Sequence, residues 1–369
     1  MPSFQLAHST QPDWQDALDE CLQQLRLDTE ATLGFIYLTD PLVGELGKLM
    51  RRLRDLAPAM HWVGSVGTAV LCTGREFYDE AALVMLVTDL PREAMHVFGH
   101  TDELEELDLT ASALNVGVVH GDPRNPQLPE IIAALPDTIG NGYLVGGLSS
   151  SQSWYYQIAD GIHEGGLSGV LFDDRVQVVT GLTQGCSPIG PVHELTECDG
   201  NVAIRIDERP ALDVLREDIG EVLARDLSRI GGYIFAGFPI SGDDTGDYLV
   251  RNLIGFDPEH GVVGIGDYLQ AGTRVMFCRR DGESATADLR RMLGDIHARA
   301  SGKILGGLYF SCLGRGRHLF GATHREMQII AEELGDIPLA GFYANGEIAG
   351  NRLYGYTGVL VLFTRAAHH

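Results

Sequence analysis

One pattern recurs along this chain and limits what it can fold into. LGFIYLTD at residues 33–40 has a counterpart in LGGLYFSC at 305–312, with leucine, glycine and tyrosine coinciding. In that pairing Thr39 stands opposite Ser311 and Asp40 opposite Cys312. Each run leads into a helical pattern, GELGKLMRRLRDL in the first and HREMQIIAEEL in the second. Each helix leads into a glycine-bearing strand, HWVGSVGTAVLCTG and IPLAGFYANGEIAGN, and each unit closes on a continuous apolar run, AALVMLV and TGVLVLF. The middle of the chain repeats the order with ALNVGVVHGDP, PQLPEIIAAL, YLVGGLSSS and SGVLFD. A degraded fourth copy is expected within residues 202–280, where a long helical pattern precedes GVVGIGDYLQAGTRVMFC.

Short apolar runs of this kind suit strands buried on both faces, with the amphipathic helices covering the sheets from outside. The expected fold class is therefore α/β or α+β. Mixed β-sheets covered by helices would be built from repeated strand–helix–strand–strand units, as in a pseudo-symmetric αββα sandwich. The expected division is a helical extension over 1–29, a first domain over 30–225 and a second over 226–365. The second boundary is drawn in RIGGYIFAGFPISGDDTGD, where the sequence turns toward glycine and aspartate.

A formal charge of −24 repels nucleic acid and anionic membranes, so neither is an expected partner. No apolar run approaches a membrane span, and the first residues lack the pattern of a secretion signal, so a cytoplasmic location is expected. Six cysteines, none in C-x-x-C spacing, read as reduced thiols. Lysine occurs only at positions 48 and 303, neither followed by Ser or Thr, which excludes a Walker A loop.

The residues that could carry chemistry gather in GGLYFSCLGRGRH, 306–318. A strand stops at Ser311-Cys312 beside Gly314, Arg315, Gly316 and Arg317. Cys312 there can be a nucleophile whose pKa the arginines lower, the wall of an anion-binding turn, or a buried thiol beside a tight bend. Thr323 and Glu326 have the spacing of a helix capping box. Cys186 sits in the Gly- and Pro-confined turn GLTQGCSPIGP. Asn345-Gly346 is a turn signal with Glu347 directly after it, a carboxylate that could meet a ligand amine or pair with Arg315.

Together QGCSPIGP, the C-terminal series FSCLGRG, Glu326 and GFYANGEI, and the supporting GGLSSS and VGSVGTAVLCTG make the chain resemble the FIST family, over roughly residues 30–364. The resemblance implies a two-part intracellular sensory module in signal transduction that binds a small ligand, amino acids being the class proposed. It also implies that some bacterial members bind haem, sense nitric oxide and act with histidine kinases. Carried over, the ligand-binding candidates are Cys186, Ser311, Cys312, Arg315, Phe342, Asn345 and Glu347. The glycines around them and Pro188 shape turns.

The leading expectation is a stand-alone sensor that binds an amino-acid-like or carboxylate ligand and signals through a separate partner, a histidine kinase or other signalling protein. In it Arg315 grips a carboxylate and Glu347 receives an amine. The alternatives are a haem-based nitric-oxide sensor, a cysteine-dependent enzyme using Cys312 with His318 or His324 as base, and a protein-interaction scaffold. No cofactor is required by the first reading; haem belongs to the second.

Overall fold

The structure is a computed structural model that describes residues 3–26, 30–104, 114–140, 142–224, 227, 230–240, 248–300 and 302–366. It divides into two compact units, Met1–Thr183 with Thr286–His369, and Gln184–Ala285. This division in space differs from the linear segments 30–225 and 226–365, because the smaller unit is an insertion in the larger. Part of the glycine- and aspartate-rich stretch, residues 241–247, lies outside the described residues.

The larger unit holds the repeated pattern three times. Its leading strands are Leu33–Thr39, Leu114–Gly121 and Gly302–Cys312. Its crossover helices are Leu46–Leu56, Leu128–Thr138 and Arg325–Leu334. Its central strands are His61–Gly67, Tyr143–Leu148 and Leu339–Ala344. Each central strand pairs parallel with its leading strand, as a strand–helix–strand crossover requires. The closing strands Leu83–Thr88, Leu167–Asp173 and Thr357–Ala366 pair antiparallel on the other side of the leading strand.

One glycine in each central strand makes this close pairing feasible. A Cβ on Gly64 would stand 1.7 Å from the Ile36 carbonyl oxygen. Gly146 and Gly341 would place theirs 1.8 Å from those of Val119 and Tyr309. No side chain fits there, so these glycines mark equivalent points in the three copies. The match aligns Ile36 with Val119 and Tyr309, and hence Tyr37 with His120 and Phe310. The tyrosine-to-tyrosine pairing read from the sequence is one residue out of step, and Thr39 corresponds to Cys312, not Ser311. A one-residue slip exchanges the two faces of a strand. Tyr37 faces the interior between the sheets, whereas Tyr309 packs under the helix with Met327 and Ile330.

After each central strand comes a hairpin that joins a different copy. Ala69–Cys72 of the first copy pairs with Leu339–Ala344 of the third. Glu347–Ala349 of the third pairs with Tyr143–Leu148 of the second, and Gln157–Ala159 of the second pairs with His61–Gly67 of the first. The exchange is cyclic, so each of three six-stranded sheets is completed by another copy. Separate apolar cores lie between each sheet and its helices. Leu49 and Leu53 pack on Ile36 and Leu38, Ile132 and Leu135 on Val119 and Leu144, Met327 and Ile330 on Tyr309 and Leu339.

The segment read as an N-terminal helical extension begins with a strand. Phe4–Ser9 pairs antiparallel with Leu83–Thr88 and forms the edge of the first sheet. The helix Trp14–Gln24 follows, with the Asp13 carboxylate accepting the backbone N–H groups of Gln15 and Asp16.

The smaller unit is not a fourth copy. All pairings described in it are antiparallel, and the extra pairing of Ile234–Pro239 with Arg274–Arg280 closes its strands into a ring around Leu195, Ile206, Val263 and Phe277. The helical stretch Ala211–Ala224, kinked at Gly220 (φ 75°), packs on this core through Leu212 and Leu215. Among the described residues no helix is long and apolar enough to cross a membrane.

Candidate functional site

The aligned copies direct three equivalent side chains, Tyr37, His120 and Phe310, toward one another. Their ring centroids are 5.6, 5.8 and 6.3 Å apart around the three pairs. The Tyr37 hydroxyl and His120 Nε2 are 3.2 Å apart, and the Phe342 ring stacks on Tyr37 at 5.4 Å. All four residues are fully buried.

Strand register extends each of these positions into a row across its sheet. In the first sheet the row is Val84, Tyr37, Ser65 and Gln157. In the second it is Ser168, His120, Gly147 and Glu347. In the third it is Val359, Phe310, Phe342 and Val70. The rows thus carry three polar side chains each in the first and second sheets and none in the third. Where Gly147 lacks a side chain, a Cβ would meet the Ala344 methyl at 2.6 Å and the tip of the Phe342 ring at 3.5 Å. Ser149, one step nearer the strand ends, bridges Ser65 at 2.8 Å and the Gln157 amide at 2.9 Å.

Four buried polar atoms of these rows have no protein partner: His120 Nδ1, Gln157 Oε1, Ser168 Oγ and Glu347 Oε1. An unsatisfied buried polar group costs about 1–3 kcal/mol, so four of them on the inner rows are expensive unless something fills the space beside them. Glu347 spends its other oxygen on Thr357, accepting the backbone N–H at 3.1 Å and the hydroxyl at 2.8 Å. Burial pushes the Glu347 carboxyl up to about 8, against the pull of those two bonds, the Arg315 charge and the Cys312 thiol. Burial drives His120 down to about 3, so the imidazole is neutral at physiological pH.

Strand alternation distributes the expected site residues over two faces. Cys312, Phe342 and Glu347 belong to the inner side. Cys312 lies beside Glu347, and burial first, then that carboxylate, raises its thiol pKa. The lowered pKa expected from the neighbouring arginines is not found. His324 Nδ1 accepts the Glu76 backbone N–H at 2.9 Å, and the His318 ring lies edge-on to Tyr78.

Ser311 and Arg315 belong to the helix-facing side, where Glu326 gathers them. Arg315 Nε donates to Glu326 at 2.8 Å, and Ser311, Tyr309 and the Gly316 backbone N–H also donate to that carboxylate. Arg315 and Glu326 are both fully buried, and Arg315 Nη1 has no partner. Glu326 is therefore the anchor of a buried network. It is not the capping-box residue expected from Thr323, since the helix begins after His324 with no side-chain cap. The pair expected to grip one ligand, Arg315 and Glu347, is separated by the sheet.

Asn345 is exposed, with its backbone N–H donating to the Leu148 carbonyl at 3.0 Å. Cys186 is in the smaller unit, buried, with its carbonyl accepting the Tyr248 hydroxyl. The sequence reading missed Tyr37, Ser65, His120, Gln157 and Ser168. Aligning the copies on their close-approach glycines would have found the first three.

His120, the histidine on the inner rows, is not placed to hold a haem. Among the described residues no three His, Cys, Asp or Glu side chains are arranged to hold a metal ion. The buried histidine, His120, has Nε2 on Tyr37 and its ring packed against Phe310 and Phe342.

Comparison with known proteins agrees with the assignment of both halves. The FIST N domain model matches residues 32–209 and the FIST C domain model residues 211–350. An uncharacterised protein of Mycobacterium tuberculosis strain H37Rv is 34% identical, over 82% of this chain and 83% of its own length. An uncharacterised protein of Mycobacterium bovis is 31% identical, over 96% of this chain and 97% of its own. With both domain models matched in order over residues 32–209 and 211–350, the chain belongs to the FIST family of sensory signal-transduction modules.

Proposed function

We propose that this chain is a sensor for a small amino-acid-like ligand, held at the inner rows of the larger unit and reported to a separate signalling protein. The observation that carries the reading is that four buried polar atoms of the inner rows, on His120, Gln157, Ser168 and Glu347, lack a hydrogen-bond partner. Their chemistry is complementary to both ends of an amino acid. Gln157 Oε1 can only accept, and Glu347 accepts when ionised, so each suits an ammonium group. An ammonium beside Glu347 would also favour its charged form and reverse the effect of burial. Ser168 donates, and His120 Nδ1 donates in the tautomer whose Nε2 accepts the Tyr37 hydroxyl, so these two suit a carboxylate.

Phe342, whose ring tip covers the gap at Gly147, is the side chain that must yield to a ligand between the two ends. Arg315 in this reading supports the strand end through Glu326 and does not touch the ligand. Because hairpins are exchanged among the copies, movement at Gln157 or Glu347 reaches two sheets at once, which a partner such as a histidine kinase could read.

A thermal-shift panel of the amino acids and related carboxylates tests the proposal, because a ligand bound only to the folded state raises Tm by mass action. At a hundred times Kd the stabilisation is about 2.7 kcal/mol. Selective stabilisation by an amino acid is expected. A panel in which no compound moves Tm would reject the reading.

A further inference from the structure

Apart from the inner rows, the larger unit carries a groove of about 320 Å³ whose lining includes Met50, Arg54, Met60, His61, Trp62, Arg92 and Asp160. That volume is at the lower end of small-molecule sites. We propose that this groove is a second binding site, for a small organic anion with a flat apolar body.

The floor is Trp62, only 2% exposed, and its indole Nε1–H is a buried donor with no acceptor. That donor is fixed in place, since the six-membered ring lies over Gly34, where a Cβ would meet it at 2.3 Å. The walls supply cations. Arg54 spends one Nη2 bond on the Asp160 carbonyl at 3.0 Å. The Arg92 side chain, exposed, has no ion pair among the described residues. In a chain of 51 acidic and 27 basic residues, an unpaired arginine beside a second one in a groove is a localised exception to the overall field.

The carboxylate in the groove does not cancel these charges freely. Asp160 is already engaged by His61 Nδ1 at 2.6 Å and by the Trp62 backbone N–H at 2.9 Å. Met50, Met60 and the Trp62 ring offer adaptable apolar contact for the rest of the ligand. Two arginines and an unpartnered indole N–H among the lining residues suit either a carboxylate or a phosphate head. The site owes nothing to Glu347, His120 or Gln157, so it stands or falls apart from the sensor reading.

The test follows the Trp62 indole N–H by nitrogen-15 NMR, identified as the resonance that survives in the W14F/W154F variant of the full chain. Phenyl phosphate, phenylacetate and inorganic phosphate are titrated separately. A saturable shift with phenyl phosphate or phenylacetate is expected, and the one that binds tighter identifies the head group. Arg92→Ala and Arg54→Ala, both exposed, should each weaken it by about tenfold, the scale of one charge-assisted hydrogen bond. An unmoved resonance with every probe would overturn the site. So would affinity unchanged in both variants, and equal affinity for inorganic phosphate would overturn the apolar half of the claim.

Discussion

Replacing Glu347 by glutamine isolates the one carboxyl that the inner rows hold out of its usual range. Burial places it at about 8 in the folded chain, while an unfolded glutamate titrates near 4.3. A group whose folded pKa is raised contributes stability that is present below the unfolded value and is lost as pH rises through the folded one. The window is therefore from about 4.5 to about 8, with stability falling as pH increases. At ~1.4 kcal/mol per pH unit, Glu347 alone costs the wild type about 2.5 kcal/mol between pH 5.5 and 7.5. Glutamine keeps an oxygen for the Thr357 N–H and hydroxyl and cannot ionise. Relative to wild type, Glu347→Gln should gain about that amount over the same interval. His120, driven down by burial, loses stability in the opposite direction as pH falls below about 6.5. That contribution is common to both proteins and cancels in the difference. Urea unfolding of the two proteins at both pH values measures it. A difference between them that does not change with pH would refute the buried, protonated carboxyl.

Other expectations follow from the same geometry. Gly64→Ala, Gly146→Ala and Gly341→Ala should each destabilise by more than about 3 kcal/mol, since each methyl would press on a backbone carbonyl; urea midpoints similar to wild type in any of the three would break the equivalence of the copies. Arg315→Met should cost about 3–5 kcal/mol by leaving Glu326 charged and buried, and the double variant Arg315→Met/Glu326→Leu should recover much of it. A double variant as unstable as the single in chemical denaturation would show that the pair does not act as a unit. Cys312 should react with iodoacetamide at pH 7.4 more slowly than a model thiol, because burial and Glu347 hold its thiol protonated; faster modification, located by peptide mass spectrometry, would restore a nucleophilic role.

How far the sequence could be read depends on what each feature records. The strand–helix–strand–strand order was legible because short continuous apolar runs and period-3.6 apolar patterns report burial locally. The family was legible in FSCLGRG and GFYANGEI. Register was not. Tyr37 and Tyr309 look like partners, yet the β-bulge between Ile304 and Gly306 shifts the third leading strand by one residue, and the faces exchange. The resemblance put Ser311 and Arg315 in one expected site with Glu347, and only the register shows that they lie on opposite faces. The hairpin exchange was also hidden, because nothing local in QIA or EIA says which sheet will receive it. Glu326 looked like a cap because Thr323 has the right spacing, but burial beside Arg315 and Tyr309 decided its role. The smaller unit failed as a copy because its helix and strands have the right order without a parallel pair.

Calorimetric titration of the strongest ligand from the thermal-shift panel into wild type, Ser168→Ala and Gln157→Leu tests the central claim most directly. The account predicts a measurable affinity in the wild type and a loss of about tenfold in each variant, the worth of one buried hydrogen bond. Equal affinities in all three proteins would place the ligand elsewhere and contradict it.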